Sequence, residues 1–259
     1  MTPDQLYLLV EELTPVARKA GDAILDVYAH DVTIESKQDG SPVTIADRRA
    51  EAIILAGLRG IAPDIAVVSE ENAASHSLTP PDLFFLVDPL DGTREFVKRD
   101  GKGSFTVNIA LIKNGSPILG IVFAPALNRM FTGIAFEATK TARENDHQIF
   151  VRNIPEDGPV AVASASHRDD ETDAWLNKNG IERTVSIGSS LKFCLLAAGE
   201  ADSYPRFGPT MEWDTAAGDA VLRAAGGTVE HKDGEPLTYG KPDYRNGAFI
   251  ARGRFSQNT

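Results

Sequence analysis

The sequence predicts a mixed fold, α+β in its first half and α/β in its second. Three observations carry this. Two stretches near the start repeat apolar residues at helical spacing. The middle third is a series of apolar strands separated by short turns. Beyond residue 159, strands and helices alternate in short units.

Leu6, Leu9, Val10, Leu13, Val16, Ala17, Ala20, Ile24, Val27 and Tyr28 place one long amphipathic helix over residues 3–29. Val32-Thr-Ile-Glu35 reads as a strand and Gln38-Asp-Gly-Ser-Pro42 as a turn. Ala46, Ala50, Ile53, Ile54 and Leu58 share one face of a second helix over 44–60. Ile65-Ala-Val-Val68 and Leu83-Phe-Phe-Leu-Val87 are buried strands, with a polar, proline-containing loop over 72–82 between them. Residues 105–112, 117–123 and 129–134 read as an antiparallel meander, separated by Lys-Asn-Gly and Pro-Ala-Leu-Asn turns. A polar segment over 138–158 breaks the pattern and is the expected boundary between domains 1–150 and 151–259. After it come strands at 160–163, 184–187, 201–204 and 246–251, and helices at 169–178, 189–198 and 213–225.

The chain has 259 residues, 42% apolar and 24% charged, so a folded protein with a sizeable core is expected. A net charge of −11 excludes nucleic acid or an anionic membrane as a bulk electrostatic partner. It also repels a phosphate ester, so local cations must reverse the sign wherever one binds. The lone cysteine, Cys194, sits in an apolar run and reads as a buried, inert thiol, which fits a reducing cytoplasm. The N-terminus lacks the basic and apolar regions of a signal peptide, and no run approaches the ~18 apolar residues of a spanning helix.

Asp88-Pro-Leu-Asp-Gly-Thr93 carries the chemistry. It places two carboxylates at the end of a buried strand, where they are costly unless a cation joins them. The backbone at Gly92 and Thr93 offers N–H groups to an anion. Metal and anion at one point suggest phosphate chemistry. Glu70 and Glu71 follow the preceding strand and share its sheet end, so Glu70, Asp88 and Asp91 can converge. Asp214 sits in Trp213-Asp-Thr-Ala-Ala-Gly218 and Asp47 early in the second helix. Oxygen-only ligands favour Mg²⁺ or Mn²⁺, and the five dispersed histidines offer no zinc spacing. Each feature also has an ordinary reading: Asp-Gly-Thr as a turn, Asp214 as a helix cap, Asp47 as a solvated helix residue, Glu70–Glu71 as a surface loop. Their joint occurrence outweighs those readings.

Together with Trp213-Asp-Thr-Ala-Ala-Gly218 and Ala225-Gly-Gly227, the Asp88–Thr93 motif resembles the inositol monophosphatase superfamily. Residues 37–47, Ser186-Ile-Gly-Ser-Ser-Leu-Lys-Phe-Cys194 and Tyr204-Pro-Arg-Phe-Gly-Pro-Thr210 are similar to its bacterial 3′(2′),5′-bisphosphate nucleotidase branch. The resemblance implies a layered αβαβα sandwich with a lithium-inhibited centre of two or three Mg²⁺ ions between the domains. It implies that Glu70, Asp88, Asp91, Asp214 and the Leu90 carbonyl hold the metals. Gly92 and Thr93 N–H, with Asp91, would hold the phosphate, and Thr93, Asp47 and Glu70 would activate water; Glu71 would orient the shell or ligate. It places nucleotide contacts in the C-terminal domain. Ser166, His167, Arg168, Ser189, Lys192, Arg206 and Asp214 are the candidates, with Ser189 and Lys192 on one helical face and Arg206 in a loop.

The expected reaction is removal of the 3′-phosphate of adenosine 3′,5′-bisphosphate, a by-product of sulfate assimilation, by direct attack of water. A second phosphate needs cations that a sugar monophosphate does not. Two alternatives stay open: inositol monophosphatase or fructose-1,6-bisphosphatase activity on the same fold, and a non-catalytic phosphate-ligand sensor. So do monomer against homodimer, and a free cytoplasmic enzyme against one peripheral on the cytoplasmic side of the inner membrane.

Overall fold

The computed structural model describes residues 1–30, 34–36, 42–99, 101, 103–164 and 169–254. Helix α1 (Pro3–Tyr28) starts at a capping box between Thr2 and Gln5. Strands β1 (Ile34–Ser36) and β2 (Pro42–Thr44) pair antiparallel and lead into α2 (Ile45–Ile61). Seven strands then form the first sheet in sequence order: β3 (Ala66–Ser69), β4 (Leu83–Asp91), β5 (Thr106–Lys113), β6 (Ser116–Ala124), β7 (Arg129–Phe136), β8 (Thr139–Glu144) and β9 (His147–Gln148). Only β3 and β4 run parallel, and a short helix, α3 (Thr93–Lys98), follows β4. The second half contains β10 (Val160–Ser164), α4 (Asp170–Lys178), β11 (Arg183–Ile187), α5 (Leu191–Ala197), β12 (Ser203–Arg206), β13 (Thr210–Met211), α6 (Ala216–Ala224), β14 (Thr228–His231), β15 (Arg245–Asn246) and β16 (Phe249–Arg252). Its sheet has the order β11-β10-β12-β16-β14, and β13 pairs separately with β15.

Strand alternation stacks these elements into five layers. On β4 and β5, Phe85, Val87, Val107, Ile109 and Leu111 face α1 and α2 in one core cluster. Their neighbours Phe84, Leu86, Ala110 and Ile112 face α5 and α6 in another. The same helices bury Val162, Tyr204, Phe249 and Ala251 of the second sheet. Leu176 and Trp175 of α4 cover that sheet's outer side with Ala161 and Ile181. The order is helix, sheet, helix, sheet, helix: the αβαβα sandwich the sequence led us to expect.

Two glycines set the height of the central layer. Gly120 and Gly133 are paired across β6 and β7, and α6 lies directly over them. A Cβ on Gly120 would fall 2.2 Å from the Ala217 carbonyl oxygen, and one on Gly133 would fall 2.6 Å from the Val221 Cα. These are backbone atoms, so the whole helix would have to lift. Gly133→Ala is therefore expected to cost about 3 kcal/mol, read as a melting temperature lower by roughly 5–10 °C.

Several boundaries differ from the sequence reading. The polar segment 138–158 contains β8 and β9. These lie at the sheet edge, and only Ala142 of β8 is buried, so no apolar period marks them. Strand β12 runs to Arg206, which makes Arg206 a strand residue instead of a loop residue. Pro205 lies beyond the single registered pair with β10, Ala161 with Ser203, where a strand tolerates proline. Residues 246–251 divide between β15 and β16, and the loop over 72–82 contains a 3₁₀ turn, Ala73–Ser77. Among the described residues no helix is long and apolar enough to cross a membrane.

Candidate active site

The site forms where β3 and β4 end in parallel. Strand β4 continues through the acidic motif to Asp91. Residues three apart on a regular strand point to opposite faces. Here Asp88 pairs with Asn108 and Asp91 with Thr106, so β4 carries one extra residue against β5. That bulge brings both carboxylates to the face that looks toward α5 and α6. Asp88 Oδ1 accepts the Leu90 N–H at 3.0 Å. On β3, the Glu70 N–H donates to the Val87 carbonyl at 3.1 Å and extends the pairing by one residue.

Glu70, Asp88 and Asp214 each place a carboxylate oxygen within 4.8 Å of the other two. Asp214 precedes α6, and its carboxylate accepts the Met211 N–H at 2.9 Å, closing a turn behind it instead of capping the helix. Burial pushes Asp88 well above the ordinary carboxylate range, and Glu70, Asp91 and Asp214 push it further. Asp214 is raised well above that range too, by burial and then by Asp91 and Glu70. Asp91 is raised to about 6 by burial, held there by Lys192 and the Ser190 N–H. Ser190 N–H lies 2.5 Å from Asp91 Oδ2.

Asp47 serves two structures at once. Its Oδ2 completes the capping box of α2, accepting from Thr44 N at 2.8 Å and Thr44 Oγ1 at 2.7 Å. Its Oδ1 lies 3.3 Å from Thr93 Oγ1. The single Thr93 hydroxyl proton has two acceptors, Asp47 Oδ1 and the Leu90 carbonyl at 3.1 Å. Burial raises the Asp47 carboxyl while the bonds from Thr44 lower it, and the first effect prevails.

The second half supplies cations. Lys192 and Arg206 are both buried and line one cavity of about 210 Å³ with Glu70, Asp91, Thr93 and Asp214. Lys192 Nζ donates to the Ser189 carbonyl at 2.6 Å, and burial, with Arg206 adding to it, lowers its pKa to about 8 against the pull of Asp91. Arg206 donates to the Gly208 and Pro209 carbonyls at 3.2 and 3.1 Å. Ser189 has φ +53° and precedes α5, so it does not share a helical face with Lys192. The left-handed turn at Gly92, φ +90°, starts α3, whose first amides have no helical partner.

Glu70, Asp88, Asp91, Gly92, Thr93, Ser189, Lys192, Arg206, Asp214 and Asp47 thus meet in one place. Ser166, His167 and Arg168 lie outside the described residues, as does most of the 38–42 turn. Sequence reasoning missed Thr106, Asn108 and Ser190. Ser190 Oγ donates to Asn108 Oδ1 at 2.6 Å and lies 2.9 Å from Thr106 Oγ1, fastening the start of α5 to β5 behind Asp91. The available signal was a polar pair two apart in an apolar strand.

The family model of the inositol monophosphatases matches residues 8–256. The chain belongs to the inositol monophosphatase family. A Salmonella typhimurium relative, the 3′(2′),5′-bisphosphate nucleotidase CysQ, is 49% identical over 234 residues, covering 89% of this chain and 94% of that protein. CysQ from Bacteroides thetaiotaomicron, described as a bacterial member of the same family, superposes with a TM-score of 0.79. The two are 36% identical over 95% of this chain and 97% of that one. An inositol monophosphatase from Anabaena gives a TM-score of 0.74 at 25% identity, over 95% of this chain and 90% of that one. The inositol monophosphatase family is metal-dependent, and the donor set here fits: three convergent carboxylates, two of them raised by burial and then by neighbouring carboxylates, with no His or Cys in the group.

Proposed function

We propose that this chain is a divalent-metal-dependent phosphatase that removes the 3′-phosphate of adenosine 3′,5′-bisphosphate, giving AMP and phosphate. One observation carries the reading: a carboxylate cluster that needs cations shares its cavity with two buried cations, Lys192 and Arg206. A monophosphate needs the first half of that arrangement, and a bisphosphate uses both. The nucleotidase name of relatives 49% identical over most of the chain supports the same substrate class.

In this reading Glu70, Asp88, Asp91, Asp214 and the Leu90 carbonyl hold the metal ions, and oxygen-only ligands select Mg²⁺ or Mn²⁺. Bound there, such ions neutralise the transferring phosphoryl group and activate water. Gly92 and Thr93 N–H orient the phosphate. The Thr93 hydroxyl, 3.3 Å from Asp47 Oδ1, would take a proton from the attacking water as it passes its own to Asp47, and the departing 3′-oxygen would take one from solvent. Lys192 and Arg206 bind the phosphate that stays on the nucleotide. A phosphate sensor needs no pair that activates water.

Phosphate release from adenosine 3′,5′-bisphosphate, inositol 1-phosphate and fructose 1,6-bisphosphate, with and without Mg²⁺ and Li⁺, tests this. The bisphosphate nucleotide is expected to have the highest kcat/KM, with activity lost without Mg²⁺ and inhibited by Li⁺. A preference for inositol 1-phosphate would move the assignment to that activity on the same fold.

A further inference from the structure

Glu70 and Asp88 belong to the first sheet, and Asp214 to the segment between β13 and α6. The ladder fixes Glu70 against Asp88. Neither sheet fixes Asp214 against Glu70, because β13 pairs outside both. His76, on the 3₁₀ turn Ala73–Ser77, bridges that gap. Its Nε2 lies 2.9 Å from the Ser69 carbonyl oxygen, and its ring stacks on Trp213 at 4.8 Å between centroids and 22° between planes. Ser69 immediately precedes Glu70, and Trp213 immediately precedes Asp214. One side chain therefore touches the residue before each of two facing carboxylates. A carbonyl only accepts, so Nε2 carries the hydrogen of this bond.

Both ends of the bridge are anchored. Ser69 N–H donates to Ser75 Oγ at 3.1 Å, which keeps the turn against the end of β3. On the far side, Tyr244 OH donates to the Leu78 carbonyl at 2.8 Å, and the Tyr244 ring lies 6.2 Å from Trp213. The buried Glu212 carboxylate accepts the Gly240 and Lys241 N–H groups at 2.6 and 3.0 Å, which holds the Trp213–Asp214 segment to the loop that carries Tyr244. Among these contacts, His76 is the side chain that touches both Ser69 and Trp213 directly.

We infer that His76 is a positioning residue that sets the approach of Asp214 to Glu70, and with it the affinity of the centre for a divalent cation. This rests on the metal-centre reading above. Groups that orient metal ligands from outside typically change affinity 10–100-fold when removed.

The test is Mn²⁺ binding to the full chain without substrate, read by the spin-resonance signal of free Mn²⁺. His76→Ala is expected to weaken binding roughly ten-fold, with KM for the substrate unchanged at saturating metal. His76→Gln keeps an N–H donor and His76→Phe keeps the stacked ring; each is expected to restore part of the loss, and either serves if the alanine variant does not fold. Mn²⁺ affinity within about two-fold of the parent in His76→Ala would overturn the proposal, as would equal weakening by all three substitutions. Asp214→Asn, a direct ligand change, separates the two readings. If the unaltered chain and Asp214→Asn bind Mn²⁺ alike, the metal centre itself is wrong and the His76 role falls with it.

Discussion

Asp91→Asn is expected to lower kcat by at least about 10³-fold while raising the melting temperature of the metal-free protein at pH 8. Both effects come from one buried charge. Burial pushes the Asp91 carboxyl up to about 6, with Glu70 and Glu95 adding to it against the pull of Lys192 and the Ser190 N–H. Without a cation the folded chain keeps this carboxylate ionised at a cost of about 3 kcal/mol, from ~1.4 kcal/mol per pKa unit. Asn is nearly isosteric, and its carbonyl can still accept the Ser190 N–H. The substitution removes the buried charge and keeps the bond. In the proposed metal centre it would also remove a negative ligand, so the means of neutralising the phosphoryl group would be lost.

The sign of the pH dependence follows. The folded value, about 6, lies above the unfolded 3.8. Stability from the neutral form is therefore complete below pH 3.8 and lost as pH rises through 6. The stabilisation by Asp91→Asn should be absent at pH 3.5, grow between pH 4 and 6, and level off above. Saturating Mg²⁺ should reverse the order at pH 8, because the parent gains binding energy that the variant lacks. Calorimetric scans with chelator and with Mg²⁺ at three pH values measure this. An Asp91→Asn chain no more stable than the parent in chelator at pH 8 would contradict the electrostatic account.

The sequence made the site's chemistry legible and hid its geometry. Asp88, Asp91 and Glu70 stood out because carboxylates adjoining continuous apolar strands are conspicuous. The bulge in β4 was not visible, since an extra residue leaves no mark in composition, yet it alone puts Asp88 and Asp91 on one face. The helix α1 was legible from its period, whereas β8 was not, because an edge strand buries too little to carry one. Arg206 looked like a loop residue beside Pro205, and only the way β12 leaves β10 explains a proline there. Ser190, Asn108 and His76 act through partners more than 80, 80 and 130 residues away in the chain, Thr106, Ser190 and Trp213, and sequence spacing does not report such closures.

Removing Arg206 is expected to weaken binding alone, and removing Lys192 to weaken binding and chemistry together. Arg206 ends β12 with its guanidinium pinned to the Gly208 and Pro209 carbonyls, so its orientation is set before any ligand arrives. A phosphate meeting a pre-oriented, desolvated guanidinium gains strong charge-assisted bonds. Truncating one partner of such a pair costs about 2–5 kcal/mol. Arg206→Ala should accordingly raise KM for adenosine 3′,5′-bisphosphate by roughly 30-fold or more and change kcat little. Lys192→Met, which keeps an unbranched apolar side chain and removes the ammonium that lies 5.3 Å from the Tyr204 ring centre, should act on both constants. Its ammonium would face the retained phosphate, and it also favours the ionised form of Asp91. Losing it lifts that carboxyl further above its ordinary range, so kcat should fall along with affinity. Steady-state kinetics of both variants on the bisphosphate and on inositol 1-phosphate measure the difference. For Arg206→Ala, a KM increase confined to the bisphosphate is the expected result. Equal losses on both substrates would mean that Arg206 shapes the cavity without reading a second phosphate, and the bisphosphate assignment would lose its physical basis.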